Sequence, residues 1–147
     1  MLSLFYVAKY NTKCNIFEYA DRENSVRIYK NTWFWRFARR ERITDQTLLE
    51  AIARAERGIF DADLGGNVIK QRIARSGQGK SGSYRTVIVF RQADKAFFVY
   101  GYAKSERDNI DRAETEAFKK AAKALLSLSD QQIEQLIENG SLTEIKS

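Results

Sequence analysis

The sequence predicts an α+β domain: an antiparallel sheet of three to four strands, packed by an N-terminal helical hairpin, with C-terminal helices. Three features predict it: back-to-back helical segments after residue 31, strand-like runs between about 67 and 104, and renewed helical periodicity in the last third. Helices and strands that come in blocks, rather than alternating, indicate α+β.

The 147 residues suffice for one core and leave little room for a second. Residues 1–25 show no clear period, and the segment is set apart as an N-terminal arm of unassigned structure. The domain proper is expected over 26–147. VRIYK, residues 26–30, reads as a strand. Asn31 or Thr32 then caps a helix that carries Trp33, Phe34, Trp35 and Phe37 and runs to about Glu41. Trp33 and Trp35 read as packing residues of this amphipathic helix. Thr44 caps a second helix with Leu48, Leu49, Ile52 and Ala55 on one face, and Gly58 sits just past its end.

The strands are expected at about 67–74, 83–91 and 96–104. In the first, Ile69 and Ile73 point one way while Lys70 and Arg72 point the other. YRTVIVF and AFFVYGYA are apolar on both faces and so read as central. After them, Ala117, Phe118, Ala121, Ala122, Leu125 and Leu126 form a helical stripe. Ser129 with Gln132 makes a capping box for a last helix, and LTEIK reads as a short closing strand.

Composition excludes some chemistry. The chain has no histidine, which removes the usual general base near neutral pH and any His-dependent triad. Cys14 is the one cysteine, so no intrachain disulfide forms and a zinc site is disfavoured. The lone thiol fits a reducing cytoplasm. No apolar run approaches the roughly 20 residues of a membrane span, and the N-terminus lacks a signal-peptide pattern.

The charge is +6 and unevenly spread. Leu64 to Ala93 contains no acid, yet holds Lys70, Arg72, Arg75, Lys80, Arg85 and Arg91. Arg36, Arg39, Arg40 and Arg42 form a second basic run, and the chain is net acidic from Glu106 onward. A one-sided cationic surface attracts a polyanion, most often nucleic acid. Within it, ARSGQGKSGSYR comes one residue short of a phosphate-binding P-loop, with Ala74 where the first glycine belongs. A P-loop opens a helix, whereas GSYRTVIVFR reads as a strand. The stretch is therefore a hairpin connection and not a nucleotide site.

The segment DADLGGNVIKQRIARSGQGKSGSYRTVIVFR, then AFFVYGYAKSERDNI, then the closing helices up to LTEI, resembles the RelE/ParE superfamily of type II toxin–antitoxin toxins, in its RelE-like branch. The resemblance covers about Val26 to Ile145. It implies a bacterial toxin that enters the ribosomal A site and cuts mRNA there, inhibiting translation. It also implies a cognate antitoxin, usually a DNA-binding protein encoded alongside, and no cofactor or metal. By this resemblance Lys70, Arg72, Arg85 and Lys104 surround the scissile phosphate, and Arg75 and Lys80 on the loop grip RNA backbone. Family members often carry a tyrosine shortly after the last basic residue. Here that region reads ERDNI, which leaves Tyr84, Tyr100 or Tyr102 as substitutes and Arg107 as an added cation, with Tyr84 and Arg107 counted among the RNA-binding residues.

The chemistry needs no protein nucleophile, because the RNA 2′-hydroxyl attacks its own phosphate. Clustered cations stabilise the resulting charge, and a lysine crowded by other cations gives up its proton more readily. Arg85 is the expected transition-state cation and Lys70 the expected proton-transfer group, with Lys104 as the other lysine able to serve. The competing reading is a ParE-like protein that poisons DNA gyrase by binding alone, or a degenerate relative that only binds RNA or antitoxin. Fold alone does not separate these; the cation set favours the nuclease.

Overall fold

The computed structural model describes residues 25–75 and 79–146, with the side chains at 79–81 outside the description. The expected arm therefore lies almost entirely outside the described residues, as does Cys14. The elements run β1 (Arg27–Asn31), α1 (Thr32–Arg40), α2 (Asp45–Glu56), β2 (Ala62–Gly65), β3 (Val68–Arg75), β4 (Gly79–Arg91), β5 (Lys95–Ala103), α3 (Arg112–Leu126), α4 (Asp130–Glu138) and β6 (Leu142–Ile145).

The expected sheet of three to four antiparallel strands is corrected. Six strands form one sheet in the order β2-β3-β4-β5-β1-β6, and β1 runs parallel to β5. The first strand thus docks beside the last of the central three, and β6 closes against it antiparallel. Long-range pairing of this kind leaves no trace in a local period. The missed strand β2 is only ADLG, too short and too polar to show alternation.

Helices cover both faces. On one face α1 and α2 pack over Ile28, Ile69, Ile73, Tyr84, Ile88 and Phe98. On the other, α3 and α4 pack over Tyr29, Val68, Val87, Val89, Phe97 and Val99. This explains why the central strands are apolar on both sides. The caps form as the sequence indicates. Asn31 Oδ1 accepts from the Phe34 N–H at 2.7 Å, Thr44 caps α2, and Ser129 with Gln132 closes a reciprocal box at α4. Gly58 adopts φ +78° immediately after the C-cap Arg57, a conformation glycine reaches at no steric cost.

One irregularity sets up the site. Along β4 and β5 the partners are Val87 with Tyr100, then Ile88 with Phe98, so Val99 is an extra residue. A one-residue insertion reverses the facing of everything beyond it. Tyr100 and Tyr102 consequently share the face of Val87 and Arg85, while Gly101 turns toward α1. There Phe37 lies so close that a Cβ on Gly101 would sit 2.5 Å from Phe37 Cε1.

Candidate nucleic-acid interface

Strand register gathers the cations. Arg72 on β3 pairs with Arg85 on β4, Lys70 pairs with Val87, and Arg85 pairs with Tyr102 on β5. Cross-strand partners share a face, so Lys70, Arg72, Arg85 and Tyr102 lie together at the sheet end where β3 and β5 finish and β4 begins. Two arginines directly opposite repel each other. Neighbouring groups answer that repulsion unequally.

Arg85 is 8% exposed and firmly held. Its Nε meets Asp61 Oδ2 at 2.9 Å, and its Nη1 donates to Ser83 Oγ at 2.8 Å. A guanidinium this covered requires a counter-charge, and Asp61 supplies it from the far side of β3. Arg72 is exposed and its side chain has no hydrogen-bond or ion-pair partner among the described residues. Lys70 Nζ donates to Asn109 Oδ1 at 3.0 Å. Lys104 lies just past β5, with its backbone N–H donating to the Ser83 carbonyl at 3.3 Å and its side chain exposed.

The segment after β5 folds back over this end of the sheet. Arg107 stands with its guanidinium carbon 5.9 Å from the Tyr100 ring centroid and 5.6 Å from that of Tyr102. It donates to the Tyr100 hydroxyl at 3.1 Å and to the Asn109 carbonyl at 2.8 Å, and it pairs with Glu114. The Glu114 carboxyl is held below its usual range by the Arg107 hydrogen bond first and by the Asp111 backbone N–H second. Asn109 therefore links Lys70, through its side chain, to Arg107, through its backbone. Beneath them Tyr102 is 5% exposed, and its hydroxyl has no hydrogen-bond partner among the described residues. Burial raises the Tyr102 phenol pKa, against the lowering effects of Arg85 and Arg107.

Of three further expected RNA contacts, Arg75 and Tyr84 lie away from this cluster, and the Lys80 side chain lies outside the description. Arg75 and Lys80, expected on the hairpin loop, lie in β3 and β4, because Arg75 still pairs with Gly79. Lys80 takes part through its backbone, and its side chain lies outside the description. Arg75 stands over the Tyr84 ring at 5.4 Å. Tyr84 is 2% exposed, packs edge-on against Phe37, and donates its hydroxyl to Glu41 at 2.7 Å. It belongs to the core under α1, on the face opposite Arg85. Its ring is therefore not available for stacking a base from solvent. The second basic run also sits on that opposite side, on α1 and the turn after it.

Trp33 packs against its neighbours but stays partly open to solvent. It is 43% exposed, although its ring lies 4.5 Å from Tyr100 and 5.4 Å from Phe37. Trp35 is also exposed, with the Arg39 guanidinium above it at 5.2 Å.

Residues that sequence reasoning missed are Asp61, Ser83, Asn109 and Glu114. Only Asn109 left a signal, as part of the ERDNI stretch where an aromatic was expected. Among the described residues no group of three or more Asp, Glu or Cys gathers as a cation-holding cluster, and no helix is long and apolar enough to cross a membrane.

No curated protein matches the sequence closely enough to add a relative. The family model described as "RelE toxin of RelE / RelB toxin-antitoxin system" matches residues 26–145, which is β1 through β6 and includes every cation described above. The chain therefore belongs to the RelE toxin family.

Proposed function

We propose that this RelE-family toxin inhibits translation as a ribosome-dependent endoribonuclease, cutting mRNA at the cationic end of the sheet. The reading rests on one observation above others: the β3–β4 register sets Arg72 opposite Arg85, with Lys70 two residues along β3, Lys104 just past the end of β5, and Arg72 left without an anionic partner among the described residues. Arg72, set opposite a second cation and without a counter-ion of its own, is placed to take an anion.

In the proposed reaction the RNA 2′-oxygen forms a bond to phosphorus while the bond from phosphorus to the 5′-oxygen breaks. The products are a 2′,3′-cyclic phosphate and a free 5′-hydroxyl. The 2′-proton passes to a lysine acting as base, for which Lys70 is the first choice and Lys104 the second. The other lysine, in its ammonium form, gives a proton to the leaving 5′-oxygen. Arg85 and Arg72 stabilise the charge that builds on the non-bridging oxygens. Arg107 lies beside this path on its tyrosine platform and holds RNA backbone. The site works inside the cell, on the ribosome, and a cognate antitoxin neutralises it by covering these cations with acidic or apolar segments.

The test is a cell-free translation reaction programmed with one reporter mRNA. New 5′ ends are mapped with and without ribosomes, for wild type and Arg85→Ala. Ribosome-dependent, in-frame cuts that vanish in Arg85→Ala are expected. Intact message with normal translation overturns the reading, and gyrase supercoiling then becomes the assay for a ParE-like poison.

A further inference from the structure

We infer that Asp61 is a positioning residue for Arg85, fixing the guanidinium so that a single nitrogen, Nη2, is presented to the RNA phosphate. The inference rests on the nuclease reading above and deepens it.

Asp61 is out of place by charge. It is the one acidic side chain paired with Lys70, Arg72, Arg85 or Lys104 among the described residues. A carboxylate on a phosphate-binding surface repels the ligand, so its presence weakens binding unless it does something else. Its geometry shows what that is. Asp61 Oδ2 forms an ion pair with Arg85 Nε at 2.9 Å, and Ser83 Oγ accepts a hydrogen bond from Nη1 at 2.8 Å. Nη2 donates no hydrogen bond among the described residues. A planar group held at two nitrogens has the direction of its third determined.

The clamp is itself anchored. The Asp61 backbone N–H donates to the Lys70 carbonyl at 2.9 Å. Two residues earlier, the Ile59 carbonyl accepts from Gln71 Nε2 at 2.9 Å. The segment leading into β2 is thus tied to β3 before and at Asp61, and Ala62 continues the pairing with Lys70, so Asp61 holds its place independently of Arg85. Because the pair spans β3, the same arrangement offsets the repulsion between Arg72 and Arg85 while leaving Arg72 open.

The experiment measures ribosome affinity and single-turnover mRNA cleavage separately, on programmed ribosomes, with thermal stability as a control. The variants are Asp61→Asn, Asp61→Glu, Ser83→Ala and Arg85→Ala of the full chain. Asp61→Asn is expected to bind ribosomes as well as or better than wild type, since a negative charge is gone. Its cleavage rate should fall about 10- to 100-fold, the scale of a misplaced catalytic group. Asp61→Glu should recover part of that rate. Ser83→Ala removes the second anchor without changing charge and should lose a smaller factor in the cleavage step alone.

If Asp61→Asn raises both affinity and cleavage, Asp61 is only a repulsive charge and the inference fails. If Ser83→Ala cleaves at the wild-type rate and Asp61→Asn loses affinity and cleavage in step with its stability, Asp61 is merely structural and the inference also fails. Full cleavage by Arg85→Ala instead overturns the nuclease assignment of Arg85, a failure read from a different variant.

Discussion

Arg72 and Arg85 face each other across β3 and β4 as register partners, yet only Arg85 has a counter-ion, at Asp61. Like charges directly opposite on a sheet are destabilising by a few tenths to about 1 kcal/mol. Arg72→Gln should therefore leave the melting temperature unchanged or slightly higher, while ribosome-dependent cleavage falls at least about 10-fold. Thermal denaturation and cleavage measured on the same preparation check this. A large loss of stability would show that Arg72 contributes to folding.

Gly101 should be intolerant of the smallest side chain. The Val99 bulge turns it toward α1, where a Cβ would meet Phe37 Cε1 at 2.5 Å. Phe37 is buried beneath α1 between Phe34 and Tyr84, so its ring has little room to withdraw. Gly101→Ala should cost about 1–3 kcal/mol, the usual range for overpacking. Denaturant unfolding measures it. Phe37→Leu combined with Gly101→Ala should recover more stability than independent effects allow, since the two residues share one space.

Much of this architecture was legible locally. Asn31, Thr44 and the Ser129–Gln132 pair mark helix starts through side chains that act within three residues. Arg85 stood out as a cation within an apolar strand, and the facing of Lys70 and Arg72 followed from period 2. What was hidden depends on strand order or on irregular register. Asp61 reaches Arg85 only because β2 and β4 flank β3. Arg75 pairs beyond a shift in the β3–β4 register, whereas Tyr84 faces α1 by simple alternation with Arg85, and the Val99 bulge brings Tyr100 and Tyr102 round to Arg85. The parallel docking of β1 on β5 joins residues nearly seventy apart, a distance over which no local pattern operates.

Arg107 should matter for activity through its neighbours as well as its charge. It is bound to Tyr100, Asn109 and Glu114, and Asn109 in turn holds Lys70. Arg107→Ala should release the 104–111 segment and free Lys70 Nζ. Single-turnover cleavage on programmed ribosomes should fall. Arg107→Lys keeps the charge but loses the fork that reaches three partners at once, so it should recover ribosome affinity more than cleavage. Equal recovery of both would limit Arg107 to a simple backbone contact.

The Tyr84–Glu41 hydrogen bond should bracket stability at both ends of the pH scale. The hydrogen bond from the Tyr84 hydroxyl, first among the causes, holds the Glu41 carboxyl below the usual carboxylate range. A carboxyl with a lowered folded pKa stabilises the fold above its unfolded pKa, and that contribution is lost as pH falls through the folded value. Tyr84 shifts the other way. Burial first, then the bond to Glu41, raises its phenol from 10.0 to about 12. Its contribution is complete below pH 10 and is lost as pH rises from there toward 12. Tyr84→Phe keeps the ring against Phe37 but removes the hydroxyl from both titrations. Its destabilisation relative to wild type should be largest between about pH 5 and 10 and should shrink at either extreme. Urea denaturation of the two proteins at pH 3, 7 and 11 tests this, and a constant difference across all three would show that the hydroxyl stabilises without coupling to either proton.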